Sequence, residues 1–185
     1  MSDPSGQAAE MIRPLMRARQ VRDFLDRPVN QSELDAIADV ARWSGSSSNT
    51  QPWRFIVLRD RAKIGRIADA SLPQTRALQT ATAAIVIVLP EEPGRAVSHA
   101  YDEGRAAERI LIAASMLGLG AGITWIMPEK RDAIRAILAV PEGQFVRTIV
   151  AIGHPSEAGL RPKSAPGTAR LPRGEVVFEE KWPAG

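Results

Sequence analysis

ILIAASMLGLGAGITWIM, residues Ile110 to Met127, contains no charged side chain, and whether it crosses a membrane or packs inside a domain decides the fold. Its length approaches that of a membrane span. Gly118, Gly120 and Gly122 interrupt it in the middle, and beyond them the composition changes to GITWIM. The first half is apolar on every side, which predicts a helix buried all round. Gly118 suits the left-handed residue that ends such a helix, and a buried strand is predicted over about Gly122 to Ile126. Helix, glycine turn and strand together belong in the interior of a layered domain. The Gly118-x-x-x-Gly122 spacing carries little weight outside a membrane.

Upstream, the long helix is predicted from about Ser98 to Leu117, after the polar turn PEEPGR. AAIVIVL, Ala83 to Leu89, reads as a central strand. A helix is predicted over Arg61–Ala70, and WRFIVLR, Trp53 to Arg59, as a strand rich in aromatic and branched residues. SGSSSNTQP, Ser44 to Pro52, is a loop by composition. Before it, Ser32 and Asp35 look like a capping-box start, and Leu34, Ile37, Ala38 and Ala41 lie on one helix face. The first twelve residues are small and polar and read as disordered, with Pro14 opening a short helix.

Downstream, Pro128 and Glu129 start another helix, and VRTIVAIG, Val146 to Gly153, is a fourth strand. From His154 the chain turns to Pro, Gly, Ser and Arg. This arm, residues 154–185, cannot build a core alone, although EVVFEE, Glu175 to Glu180, suits a late edge strand. No internal repeat is visible. The expectation is one α+β domain over residues 1–185, with four to five strands flanked by helices. Its extended arm needs backbone partners, which points to a second subunit.

Composition narrows the chemistry. The 185 residues are 44% hydrophobic and 24% charged, enough for a sizeable core. There is no cysteine, which removes disulfides, thiolate metal sites and a cysteine nucleophile. The two histidines, His99 and His154, exclude a His-rich metal site. A net charge of +3 and a pI near 9.8 reflect a slight arginine excess, and nothing forces a nucleic-acid partner. The opening MSDPSGQAAE lacks the basic-then-apolar pattern of a secretory signal, so the expected location is the cytoplasm, with no membrane and no metal.

Three segments offer chemistry. RARQVRDF, Arg17 to Phe24, supplies arginine forks that match phosphate oxygens and a glutamine that suits hydroxyls or ring carbonyls; from spacing alone a solvated basic turn is the plainer reading. SGSSSNTQPWRF, Ser44 to Phe55, supplies many small donors and acceptors, as a planar polar ligand needs; an ordinary polar loop with Trp53 in the core explains it equally. GLGAGITWIM, Gly118 to Met127, carries half of a dinucleotide fingerprint. It has Ile123 where a third glycine belongs and follows a helix, not a strand, which argues against a Rossmann site.

Taken in order, these motifs resemble the nitroreductase family of flavin enzymes over about Arg17 to Trp182. SSSNTQPWRF is close to the family's SSGNTQPW, and VAIGHP and ARLPRGEVVFEEKW resemble its later motifs. The resemblance implies a mixed sheet flanked by helices, a homodimer with exchanged C-terminal arms, and FMN bound without a covalent link at the subunit interface. It places Arg19, Gln20 and Arg22 at phosphate, ribityl and pyrimidine-side positions. Ser46, Ser47 and Asn49 would reach the flavin bound mainly by the other subunit. Thr124, Trp125, Ile126 and Met127 would lie along the ring with backbone donors, and Arg170 would hold the phosphate. The chain departs from the family pattern at Ala18, with Arg17 one place earlier, at Gly45 in place of a proline, and at Thr168, where a lysine is usual.

The implied activity is hydride transfer from NADH or NADPH through FMN to a nitroaromatic, quinone or similar small acceptor in two strokes. It needs no acid or nucleophile from the protein; Arg22 would stabilise charge on the pyrimidine edge. Two alternatives stay open: a relative that fragments flavin or dehalogenates aromatics, and a non-catalytic flavin-binding dimer, which Ala18 and Thr168 favour. His99, His154 and Trp53 read as structural. Trp125 is balanced between ring and substrate opening, Trp182 is expected to pack on the partner, and Tyr101 and Asp102 are expected at a surface or channel mouth.

Overall fold

Strand β2 (Ala83–Pro90) lies inside the sheet because nearly every one of its side chains is apolar, and all but Pro90 are buried. Side chains alternate across a strand. Ile85, Ile87 and Leu89 therefore face one core with Leu34, Ile37 and Ile110. Ala84, Val86 and Val88 face a second with Ile64, Ile67 and Ile134. The computed structural model describes residues 4–165 and 167–183. It is a three-layer arrangement with helices on both faces of one sheet.

The sheet order is β1-β2-β4-β3, with β1 over Arg54–Leu58, β3 over Gly120–Trp125 and β4 over Gln144–Gly153. All named strands pair antiparallel. The sheet is mixed only through a parallel bridge between Gln20 and Ala121. A register shift at Ile87/Val88 leaves Arg147 as the extra residue of β4, so Val146 and Ile149 reach the same core.

On one face, α2 (Gln31–Arg42) and α4 (Ala96–Met116) pack against the first core; on the other, α3 (Arg61–Ala70) and α5 (Arg131–Leu138) cover the second. The capping box of α2 is built by Asn30 and Glu33, two residues before the expected Ser32 and Asp35. Asn30 is extended and its amide donates to Glu33 Oε2 at 2.9 Å, which places Leu34, Ile37 and Ala41 inside. Gly118 ends α4 at φ +73°, as the sequence predicts.

Both chain ends differ from expectation. Helix α1 runs over Pro4–Arg17 with Pro14 inside it rather than at its start; the expectation of disorder for residues 1–3 lies outside the described residues. Propagation through eligible residues on both sides overrides proline's preference for a first turn here. At the other end, no strand forms over Glu175–Glu180. Helix α6 spans Glu157–Leu160, and α7, Arg173–Val176, takes the first two of those arm residues. An edge strand needs a neighbouring edge: the outer edge of β3 is partly taken by Gln20 and Val21, and the stretch does not pair with the open edge of β1 within this chain. Among the described residues, no helix is long and apolar enough to cross a membrane.

Candidate functional site

The segment after α1 docks on β3 because glycines let it approach. Val21 N donates to Ala121 O at 2.7 Å. A Cβ on Gly122 would stand 2.3 Å from Val21 O, and one on Gly120 2.8 Å from Val21 Cγ1. Gly159 of α6 closes the other side, where a Cβ would stand 2.3 Å from Asp23 O. The glycines of GLGAG thus seat the arginine turn and cradle no dinucleotide.

Docking fixes the side chains. Gln20 Oε1 accepts from Ile123 N at 3.2 Å and from Arg22 Nη2 at 2.7 Å. Arg19 Nη2 donates to Leu160 O. Arg19, Gln20, Arg22 and Arg170 line one cavity of about 450 Å³, together with Arg161 and Lys163. Among the described residues, Glu108 is the one acid in that lining. Five cations against one carboxylate make a site for an anion of more than one charge, since arginine forks give the strongest phosphate contacts.

Arg161 and Lys163 are the residues that sequence reasoning missed. Thr168 leaves the usual lysine position empty, and its hydroxyl donates to Ala165 O at 2.9 Å. Lys163, five residues earlier, lines the cavity instead. Arg17 does not line it, so it does not replace the arginine missing at Ala18. The signal was present in LRPKS, but where a loop folds back is not readable from spacing.

The other expected residues lie elsewhere. Thr124 is buried and donates to Ile149 O at 2.8 Å. Ile126 is fully buried, and its amide is spent on Arg147 O at 2.8 Å. Trp125 is 51% exposed and Met127 half-buried. Along β3, Ala121 and Ile123 bond outward to the arginine turn; by alternation Trp125 also turns its amide to that outer edge.

Ser46, Ser47 and Asn49 belong to a separate loop and do not line the cation cavity. Ser46 Oγ accepts from Gln51 N at 2.9 Å, and Asn49 Oδ1 accepts from Gln51 Nε2 at 3.2 Å. Ser47 N donates to both carboxylate oxygens of Asp102, at 3.0 and 3.1 Å. Asp102 is therefore buried and not at a surface or channel mouth, because α4 turns it inward; Tyr101 beside it is 72% exposed.

Trp53 is in the core and His99 is buried, while His154 Nε2 lies 3.3 Å from Pro28 O. A larger cavity of about 520 Å³, lined by Gln51, Arg54, His99 and Val140 among others, holds none of the expected ligand residues. Among the described residues, no cluster of His, Asp or Glu is placed to hold a metal.

Residues 15–87 match the model of the nitroreductase family. The chain is 30% identical over 155 residues to an Archaeoglobus fulgidus protein provisionally named NADH dehydrogenase/NAD(P)H nitroreductase, covering 80% of this chain and 87% of that one. The chain belongs to the nitroreductase family. A Methanothermobacter thermautotrophicus protein with the same provisional name is 30% identical over 94% of this chain and 88% of its own. The solved FMN-dependent nitroreductase of Clostridium difficile superposes with a TM-score of 0.79 at 27% identity, over 92% of this chain and all of that one. This nitroreductase-family chain keeps the family's fold.

Proposed function

We propose that the chain is an FMN-dependent oxidoreductase that passes hydride from NADH or NADPH to a nitroaromatic, quinone or similar small acceptor. The observation that carries this reading is the five-cation cavity beside the outer edge of β3. A phosphate dianion suits Arg19, Arg161, Lys163 and Arg170, and the donors and acceptors of Gln20 suit a polyhydroxyl chain. FMN, when bound, supplies reversible hydride chemistry at its ring. Arg22 is held by Gln20 as a fixed cation for charge developing on the pyrimidine edge. The outward backbone of β3 offers hydrogen bonds along the ring, and exposed Trp125 flanks the opening.

The same reading makes the protein a homodimer. Ser46, Ser47 and Asn49 stand apart from the cation cavity, so they serve the partner's flavin. Met11, Ile12, Leu15 and Met16 of α1, Val97 and Tyr101 of α4, and Trp182 of the arm are all more than half exposed. Apolar surface of that extent on a single chain marks an interface, and the arm, beyond the stretch that lines this chain's own cavity, is the segment that crosses. Lys163 and Arg161 in the cavity weaken the ground for a non-catalytic dimer that has lost its phosphate clamp.

The test is the absorption spectrum of the purified protein, before and after each nicotinamide under anaerobic conditions. A yellow protein bleached by NADH or NADPH is expected. A colourless one that takes up no added FMN overturns the reading. Arg22→Ala is expected to slow flavin reduction at least tenfold while the fold is kept.

A further inference from the structure

Asp102 and Glu103, consecutive on α4, are both buried, at 1% and 3% exposure. A buried carboxylate is tolerated only where it is paired and hydrogen-bonded. Glu103 meets Arg147 of β4, which joins the helix to the sheet. Asp102 turns instead to the Ser44–Pro52 loop. Both of its oxygens accept the Ser47 N–H, and Arg105 Nη1 stands 3.8 Å from Oδ1.

The loop it holds is unusual. Ser48, Asn49 and Gln51 have φ of +50°, +54° and +48°, a region that residues other than glycine rarely adopt. Such conformations persist only where their surroundings over-determine them. Inside the loop, Thr50 Oγ1 donates to Ser47 O at 3.0 Å, in addition to the Gln51 bonds already described. Among the described residues, the Asp102 bonds are the only hydrogen bonds from Gly45–Gln51 to an element distant in sequence.

We infer that Asp102 is the positioning residue of this loop. Its carboxylate anchors the Ser47 amide, and the left-handed turn built on that anchor presents Ser46, Ser47 and Asn49 to the partner's flavin. The inference rests on the flavin reading of the loop. Charge matters as well as shape, because an ionised acceptor makes the stronger bond. Asp102→Asn removes the charge and leaves one neutral acceptor oxygen where the Ser47 N–H now meets two.

The experiment uses the full-length, FMN-loaded protein and three variants: Asp102→Asn, Ser47→Pro and Asn49→Ala. Ser47→Pro removes the same bond from the loop's side, at the first position of a 3₁₀ turn where proline fits. Amide exchange over residues 45–51, FMN affinity, and kcat and KM for the nicotinamide are measured for each. Asp102→Asn and Ser47→Pro are both expected to speed exchange of the loop at least tenfold and weaken FMN binding about tenfold. Exchange of β4 should stay at its wild-type rate, which a general loss of stability would not allow. Unchanged loop exchange in Asp102→Asn overturns the inference. So does a loosened loop with full FMN affinity while Asn49→Ala binds FMN weakly. If Asn49→Ala binds FMN as well as wild type, the flavin reading of the loop fails; loop exchange then still decides whether Asp102 holds it.

Discussion

In the cavity between the arginine turn and the arm, the candidate ligand atoms sit at the tips of exposed side chains: Arg19, Arg22, Arg161, Lys163 and Arg170. In the Ser44–Pro52 loop they sit on backbone held in left-handed conformations and anchored to a buried carboxylate. Charge acts over a distance and tolerates relocation, so Lys163 can add its charge to the cavity where Thr168 carries none. Neutral hydrogen bonds need close placement, so the loop is held through its backbone, whereas the cations are held through their side chains, as Arg19 is to Leu160 O and Arg22 to Gln20. The two regions depend on the fold differently. The cavity needs only that its segments come near each other, whereas the loop needs one conformation.

The sharpest way to break the comparison is to unseat the arginine turn. Gly122→Ala puts a methyl 2.3 Å from Val21 O, a clash with backbone that no rotamer relieves. It should destabilise the protein by about 3 kcal/mol, read by denaturant unfolding, and abolish FMN retention. Next in size, Arg19→Ala with Arg170→Ala should weaken FMN binding at least a hundredfold, at about 1.5–3 kcal/mol per charge-assisted bond. Lys163→Ala alone should cost less, about threefold to tenfold, and adding Thr168→Lys should restore part of it. The same titrations repeated in rising salt should show a cation cavity that weakens steadily, since the charges are exposed. The smallest effect belongs to the loop. Ser48→Gly replaces a strained residue by one at ease with φ +50°, and thermal melting should show a shift within about 1 kcal/mol of wild type.

Much of the fold was legible. The strand at Ala83–Leu89, the α3 boundaries, the long helix ending at Gly118 and the strand after it all carry strong local signals: apolar runs, a helical stripe, a glycine cap. The misreadings fall where local signal is weak or ambiguous. Ser32 and Asn30 both suit a helix cap, and only the reciprocal bond with Glu33 chooses Asn30. EVVFEE has strand composition, but within this chain it pairs with neither edge of the sheet, although the outer edge of β1 is open. Asp102 reads as a surface acid because it sits among polar and small residues, and a single residue, about 100° around the helix, separates exposed Tyr101 from buried Asp102.

The residue order alone determined most of the helices and strands, that both faces of the sheet are covered, and that an arginine turn precedes an SSSNTQPW motif. Those follow from periodicity and side-chain type, which are local. Only the tertiary structure decided that Gly120, Gly122 and Gly159 seat the arginine turn, that Arg161 and Lys163 join its cavity, and that Asp102 holds the loop. Each of these joins residues far apart in the chain, and the approach of two distant segments depends on packing that no single stretch of sequence contains.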